Sequence, residues 1–285
     1  TGYNCFIHMD KIEPTILKGT RDFLPQEMAK RNHVMTKIRG VFERFGYAPI
    51  ETPILSPAET ILGKYGEEGD RLTYHFKDAG DREVALPYDL TVPFARYVAA
   101  NMQELAMPFK RYQIQRVWRA EKPQKGRLRE FYQCDIDVVG TKSLLVEAEV
   151  AKVIVEVFTT LGIKDFKIKF NSRRLMNAVL EKFGVSAKAP EVIRSIDKLE
   201  KIGMKAVVGE LEELGVKEAE KMMALLAPMG SNEKTLKHFE SFDASEISDF
   251  MSKAEAMGAD AKYFEFDPFL ARGLDYYTGL IFEVV

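Results

Sequence analysis

Between Phe109 and Arg129 the chain carries eight cations, Lys110, Arg111, Arg116, Arg119, Lys122, Lys125, Arg127 and Arg129, against the single anion Glu121. The local charge is +7 in a chain whose net charge is −2. Guanidinium forks hold phosphate oxygens in pairs and stack on flat rings, and Trp118, Phe131 and Tyr132 are interleaved with them. The chemistry that suits such a stretch is the binding of a nucleotide polyphosphate or a nucleic acid. A solvated basic hairpin has the same composition, and charge alone leaves both readings open. Directly after it, Phe131, Gln133, Asp135, Asp137 and Val139 alternate with Tyr132, Cys134, Ile136 and Val138, so one face of a strand here is mostly polar. A polar strand face beside a basic loop, in a hairpin otherwise apolar enough to be buried, suggests the floor of a site. Two further places concentrate polar chemistry: Pro87 to Pro93, with Asp89 and Thr91, and the decapeptide Leu270 to Gly279, with Arg272 and the Tyr276–Tyr277 pair.

The surrounding pattern supplies elements to position these groups. Tyr112, Ile114 and Val117 mark a first strand, the turn Pro123 to Gly126 follows, and Phe131 to Val139 returns as the second. Pro25 opens a helix in which Met28, Met35, Ile38, Val41, Phe42 and Phe45 recur at helical spacing up to Gly46. Tyr47 to Leu55 reads as a strand, and its Pro49 and Pro53 place it at an edge or interface. Leu72 to Phe76 and Glu83 to Leu86 read as short strands about the turn Asp78 to Asp81. Asp89 then stands just before a helical run, where an aspartate commonly caps the helix. Leu144 to Leu161 reads as a long helix packed across the sheet, and Asp165 to Phe170 as a strand. From 171 to 261 only helical patterns occur, punctuated by glycines, before strands return at Tyr263 and Leu280.

Arg119-Ala120-Glu121, a loop, then Gly126-Arg127-Leu128-Arg129-Glu130-Phe131-Tyr132-Gln133 resembles motif 2 of class II aminoacyl-tRNA synthetases in the form used by histidyl-tRNA synthetases, and LARGLDYYTG resembles their histidine-specific signature. The two segments stand in the family's order, separated by a helical insert, and the helix and proline-bearing strand before them resemble the dimer-forming motif 1. The resemblance implies an α+β fold, a mostly antiparallel sheet flanked by helices. It divides the chain into a catalytic core at 11–170, a helical insertion domain at 171–261 that the family uses near the tRNA acceptor arm, and a return to the core at 262–285.

The function implied is that of a histidine–tRNA ligase: L-histidine and ATP form histidyl-adenylate, which is transferred to tRNA(His). Arg119 would grip the α-phosphate and the histidine carboxylate, and Arg272 would add a second positive charge where other class II enzymes can use a metal ion. Glu121 would read the adenine amino group, Arg127 would meet the distal phosphates, and Phe131 or Tyr132 would lie near the ring. Asp89, Thr91 and Gln133 would receive the ammonium group, with Asp137, Tyr276 and Tyr277 around the imidazole. No protein-held metal is expected, only Mg2+ with the ATP phosphates. Pro87 stands where many relatives carry arginine, which leaves any role of that arginine without a bearer here.

Hydrophobic content of 46% and charged content of 29% are ordinary for a globular chain of 285 residues. No apolar run approaches the roughly 20 residues of a membrane span, and Cys5 and Cys134 are too few for a disulfide framework or zinc site. A reducing cytoplasm is the compartment expected. Thr1 to Asp10 has no periodicity, and the His8–Met9 step reads as added residues ahead of a native initiator, against a natural arm. The chain stops at Val285, before the motif 3 arginine and the anticodon-binding domain of the family. A catalytic-domain fragment with impaired activity is therefore expected. Two other readings compete: a synthetase-like regulatory subunit of ATP phosphoribosyltransferase, and a module that binds RNA or a partner without catalysis.

Overall fold

The computed structural model describes residues 13–272 and 277–285, and the chain divides into two compact units, 1–140 and 141–285. The first unit opens with α1 (Pro25–Arg44). Pro25 occupies its first turn, and the Glu27 carboxylate accepts from the Leu24 N–H at 3.3 Å, which satisfies one of the amides a helix start leaves open. Its sequence periodicity seats Val41 and Phe42 in the core. The chain continues through β1 (Ala48–Pro49), β2 (Ser56–Pro57), α2 (Ala58–Ile61), α3 (Gly66–Leu72), β3 (His75–Lys77), β4 (Glu83–Ala85), α4 (Thr91–Asn101), β5 (Phe109–Trp118) and β6 (Glu130–Val139).

The segment Tyr47 to Leu55 is not one strand. Only Ala48–Pro49 pairs, in parallel with β5, and Pro53 lies between β1 and β2. Two prolines cannot supply the ladder's N–H groups, and the chain leaves the sheet after the first. The hairpin β5–β6 is antiparallel over ten residue pairs, from Phe109 opposite Val139 to Trp118 opposite Glu130. Its loop needs Gly126 at φ 80°, a left-handed backbone that a side chain disfavours. Gly19 lies against the same loop, where its carbonyl accepts from the Arg129 N–H at 2.7 Å. A Cβ at Gly19 would stand 2.7 Å from Pro123 Cγ and 2.9 Å from Arg129 Cγ, so only glycine admits this approach.

The second unit comprises α5 (Leu145–Thr160), β7 (Ile168–Ser172), α6 (Arg173–Lys182), α7 (Ala189–Ile196), α8 (Leu199–Ile202), α9 (Met204–Glu213), α10 (Ala219–Leu225), α11 (Asn232–His238), α12 (Ser245–Ala256), β8 (Phe264–Phe266) and β9 (Leu280–Val284). β7 is central, parallel to β8 and antiparallel to β9. A parallel pair demands a crossover, and the run α6 to α12 is that crossover. Ser172 starts it by accepting from the Arg174 and Leu175 N–H groups. The core of this unit gathers Phe166, Phe170, Phe250, Phe264 and Phe266 with the buried helix faces.

Among the described residues four of the six strand pairings are antiparallel, and the pairings are divided among three small sheets. The expected mostly antiparallel α+β architecture is present, in smaller pieces than one sheet. Among the described residues no helix is long and apolar enough to cross a membrane.

Candidate ligand site on the central hairpin

The register of the hairpin places Arg111 opposite Asp137, Gln113 opposite Asp135, and Gln115 opposite Gln133. All six therefore share one face, which is polar on both strands. Arg111, Gln113 and Gln115 are buried, Arg111 completely. The sequence drew attention to Tyr112 and Ile114 in the first strand, and these lie on the opposite face.

Burial penalises a polar atom left without a partner, and among the described residues most here have one, Arg111 Nε and Gln133 Oε1 excepted. The Arg111 guanidinium is ion-paired with Asp137, donates from Nη2 to the Leu90 carbonyl at 3.3 Å and from Nη1 to Gln113 Oε1 at 3.4 Å, and lies 4.5 Å from the centroid of the Phe94 ring. Gln113 Nε2 donates to Thr52 Oγ1 at 2.9 Å and to Gln115 Oε1, and Gln115 Nε2 donates to the Thr52 carbonyl at 2.9 Å. This ladder anchors the floor. Asp137 turns the buried Oδ2 toward Arg111 while its side chain keeps 29% exposure, so the other oxygen is the one offered outward.

Burial pushes the Asp137 carboxyl up, opposed by Arg111 and reinforced by Asp89. Burial likewise pushes Asp135 up to about 6, with Arg111 and Arg119 opposing and Asp137 and Asp89 adding to the rise. The same desolvation draws Arg111 down, against the pull of Asp137, Asp135 and Asp89. Because folded Asp135 holds its proton to higher pH than the unfolded chain does, its contribution to stability is fullest below about pH 4. That contribution is lost as pH rises through about 6. Asp135→Asn is therefore expected to raise the thermal midpoint of the ligand-free chain at pH 7, with the difference from wild type closing by about pH 4. Calorimetric scans at the two pH values check this.

Asp89 is buried, and its Oδ1 accepts from the Tyr65 hydroxyl at 2.7 Å and from the Thr91 and Val92 N–H groups at 3.1 Å each. It thereby satisfies the first two amides of α4 from one residue ahead of the N-cap Leu90, close to the capping role an aspartate at this junction commonly takes. Gln133 Oε1 is buried without a hydrogen-bond partner. Arg119 follows β5, where the Arg119 N–H donates to the Arg129 carbonyl at 2.9 Å. Its guanidinium lies 4.4 Å from the Tyr88 ring centroid and 5.2 Å from that of Phe131, and its Nε donates to the Tyr88 carbonyl at 3.1 Å. Among the described residues its two Nη groups have no hydrogen-bond partner. A stacked, oriented fork with both terminal groups open can receive an anion.

The remaining expected residues sort as follows. Glu121 and Arg127 are ion-paired with each other, Nη2 to Oε1 at 2.6 Å. Phe131 is on the polar face with Arg119. Tyr132 is on the opposite face, where Arg31 and Arg116 lie 5.5 and 5.4 Å from its ring centroid, so the hairpin does not bring it to the others. Arg272 belongs to the second unit, adopts φ 49° and pairs with Glu283 at 3.0 Å, and the Arg173 Nη2 donates to its carbonyl at 3.0 Å. Left-handed backbone costs a non-glycine residue about 1 kcal/mol, and such outliers gather at ligand sites. Tyr277 is half-buried in the second unit. Tyr276 lies outside the described residues.

Arg111, Gln113, Gln115 and Asp135 were not among the expected site residues. Their shared parity, three polar positions facing three across a hairpin, is the signal that carries them. Two cavities are lined by other residues. One, of about 510 Å3, is bounded by Thr20, Arg21, Phe23, Met28, Arg116 and Glu130. The other, of about 460 Å3 in the second unit, is bounded by residues including Ser231, Asn232 and Phe264. Neither gathers buried, charge-perturbed groups as the hairpin face does.

Among known proteins, the family model described as Histidyl-tRNA synthetase matches residues 19–285. The histidine–tRNA ligase of Phocaeicola vulgatus is 44% identical, the match covering 95% of this chain and 67% of that protein. That of Gloeobacter violaceus is 42% identical, covering 94% and 65%. The crystal structure of histidyl-tRNA synthetase from Nostoc sp. PCC 7120 superposes with a TM-score of 0.86 at 33% identity, over 96% of this chain and 65% of that one. An ATP phosphoribosyltransferase regulatory subunit/histidyl-tRNA synthetase from Bacillus halodurans C superposes with a TM-score of 0.80 at 22% identity, a likeness of fold alone. The chain spans about two thirds of the length of the relatives it matches.

Proposed function

The chain belongs to the histidyl-tRNA synthetase family, and from that premise we propose that it activates L-histidine with ATP and serves its transfer to tRNA(His). The observation that carries this reading is the Arg119 fork, held between Tyr88 and Phe131 with its terminal groups open, at the end of a buried face bearing Gln133, Asp135 and Asp137. In the first step a histidine carboxylate oxygen attacks the α-phosphorus, a new P–O bond forms, and the bond to pyrophosphate breaks. Two anions must be brought together and charge on the phosphorus balanced, so positioning and cations do the work and no protein nucleophile is needed.

Arg119 holds the α-phosphate and the histidine carboxylate. The Glu121–Arg127 pair opens on nucleotide binding, Glu121 turning to the adenine amino group and Arg127 to the distal phosphates, with Phe131 at the ring. The family pattern assigns Arg272 a second guanidinium's role at the α-phosphate, and Tyr276 and Tyr277 contacts to the imidazole. Asp89, Thr91 and Gln133 frame the ammonium group. Mg2+ enters as the counter-ion of the ATP phosphates; among the described residues no group of three or more His, Cys, Asp or Glu is arranged to hold a metal ion. The run 171–261 acts as an inserted domain toward the tRNA acceptor arm, and the charging of tRNA implies the cytoplasm as its compartment. Histidine-dependent exchange of pyrophosphate into ATP tests the reading. Exchange that histidine does not stimulate, with ATP bound normally, favours the regulatory-subunit alternative.

Asp137→Ala is expected to weaken histidine binding about tenfold to a hundredfold, since a charge-assisted hydrogen bond contributes about 1.5–3 kcal/mol, with ATP binding nearly unchanged. Separate titrations of the two ligands decide it, and equal weakening would make Asp137 structural. Assembly gives a further expectation. Leu24 and Val34 on or beside α1, and Ile54 and Leu55 after β1, are exposed apolar side chains, which suits an isologous contact between two copies. Sedimentation at micromolar concentration should return the mass of two chains, and a monomer alone would count against it.

A further inference from the structure

We propose that Asp135 is a second carboxylate, beside Asp89, that receives the α-ammonium group of the bound amino acid, an assignment that rests on the histidine-activating reading above. Asp89, the carboxylate that the family pattern puts there, already spends one oxygen on three donors, the Tyr65 hydroxyl and two amides of α4. Asp137 is committed by its buried oxygen to Arg111. Asp135 differs from both. Its cross-strand neighbour Gln113 sends its amide nitrogen to Thr52 and Gln115 and takes Arg111 on its oxygen, so no donor is left for the residue opposite. Among the described residues the Asp135 carboxylate has no hydrogen-bond partner, on a half-buried residue whose surroundings penalise its charge.

Position along β6 agrees with the order of groups in an amino acid. Alternate residues on one strand face lie about 6.7 Å apart. From the Arg119 end the face presents Phe131, Gln133, Asp135 and then Asp137. A carboxylate held by Arg119 puts the ammonium two bonds beyond the carboxylate carbon, on the side of Gln133 and Asp135, and the ring further on, toward Asp137. The Arg119 charge acts on Asp135, opposing the rise that burial imposes on it. Asp89, Asp135 and Asp137 outnumber Arg111 and Arg119 by one negative charge, so this cluster favours the ammonium end of a zwitterion whose carboxylate lies at Arg119. The bare oxygen of Gln133 offers a second acceptor to the same group. Arg111 acts here as a positioning residue that holds the floor of this carboxylate cluster without touching substrate.

The test is a pair of titrations on the chain and on Asp135→Asn, with L-histidine and with 3-(imidazol-4-yl)propionate, which keeps the ring and carboxylate and lacks the ammonium. The expected result is a loss of about tenfold to a hundredfold for histidine and a change within about twofold for the deamino compound. Loss of both ligands alike, or of neither, overturns the proposal. So does a variant that fails to fold, since the ligand-free variant is expected to melt higher than wild type at pH 7. The pH response is read against Asp137 on β6, Arg111 on β5, Asp89 before α4 and Arg119 after β5, the charged groups that act on Asp135. Failure of the wild-type chain to bind histidine at all removes the functional reading itself, a result distinct from equal loss in the variant.

Discussion

Arg119→Ala is expected to weaken binding of a non-reactive histidyl-adenylate analogue by a hundredfold or more, because a charge-assisted contact to phosphate in a water-poor site contributes on the order of 3 kcal/mol. The geometry behind this figure is specific. Nε is already spent on the Tyr88 carbonyl, the guanidinium plane is held near the Tyr88 and Phe131 rings, and the terminal nitrogens are left open. The side chain's entropy has been given up before ligand arrives, so the contact is not diluted by ordering costs. Arg119→Lys keeps the charge and loses the fork, and should recover only part of the affinity. If alanine at 119 lowers thermal stability instead and leaves analogue binding intact, the residue holds the β5 end in place and the anion site is elsewhere.

Arg111→Met should destabilise the chain by about 3–5 kcal/mol at pH 7, the usual consequence of leaving a buried charge without its partner. Methionine fills much of the volume and offers the Phe94 ring an apolar contact, so the loss reports the charge. Asp135 and Asp137 then lack their main stabilising neighbour, and their folded-state affinity for protons rises further. Above its ordinary pKa a carboxylate that is held protonated in the fold contributes less as pH rises, so the deficit of the variant should shrink as pH falls toward 5. Denaturant titration at pH 7 and pH 5 measures both quantities. The double variant Arg111→Met, Asp137→Asn should recover part of the loss, since it removes one of the stranded carboxylates. A loss below about 1 kcal/mol at pH 7 would mean that water reaches the pair and that the floor is not the dry, fixed base described above.

The local order of this fold is written plainly in the chain. Alternation gave both strands of the hairpin, Pro25 and Gly46 bracket the helix that lies between them, and the absence of strand pattern between 171 and 261 corresponds to the helical crossover from β7 to β8. The exception, Pro53, is instructive: a proline pair was read as a strand at an edge, and the sheet keeps only Ala48–Pro49. What was hidden is what depends on register. Asp137 and Gln133 stood out as a polar strand face, but the Arg111, Gln113 and Gln115 face became visible only once Phe109 was found opposite Val139. A hairpin loop of eleven residues does not fix that pairing from sequence, and a shift of one residue would have sent the same side chains to the other face. The role of Asp89 was open in the sequence for a different reason. Capping and ligand binding ask for the same residue at the same junction, and only the three donors on Oδ1 distinguish them.

The proposed histidine pocket is the polar face of β5 and β6. Calorimetric titration of the chain with L-histidine, set beside L-glutamine, L-lysine and L-phenylalanine, tests it most directly. Saturable binding of histidine with one site per chain, and at least tenfold weaker binding of the other three, is the expected result. Equal affinity for all four, or heat from none of them in a chain shown to be folded, would contradict it.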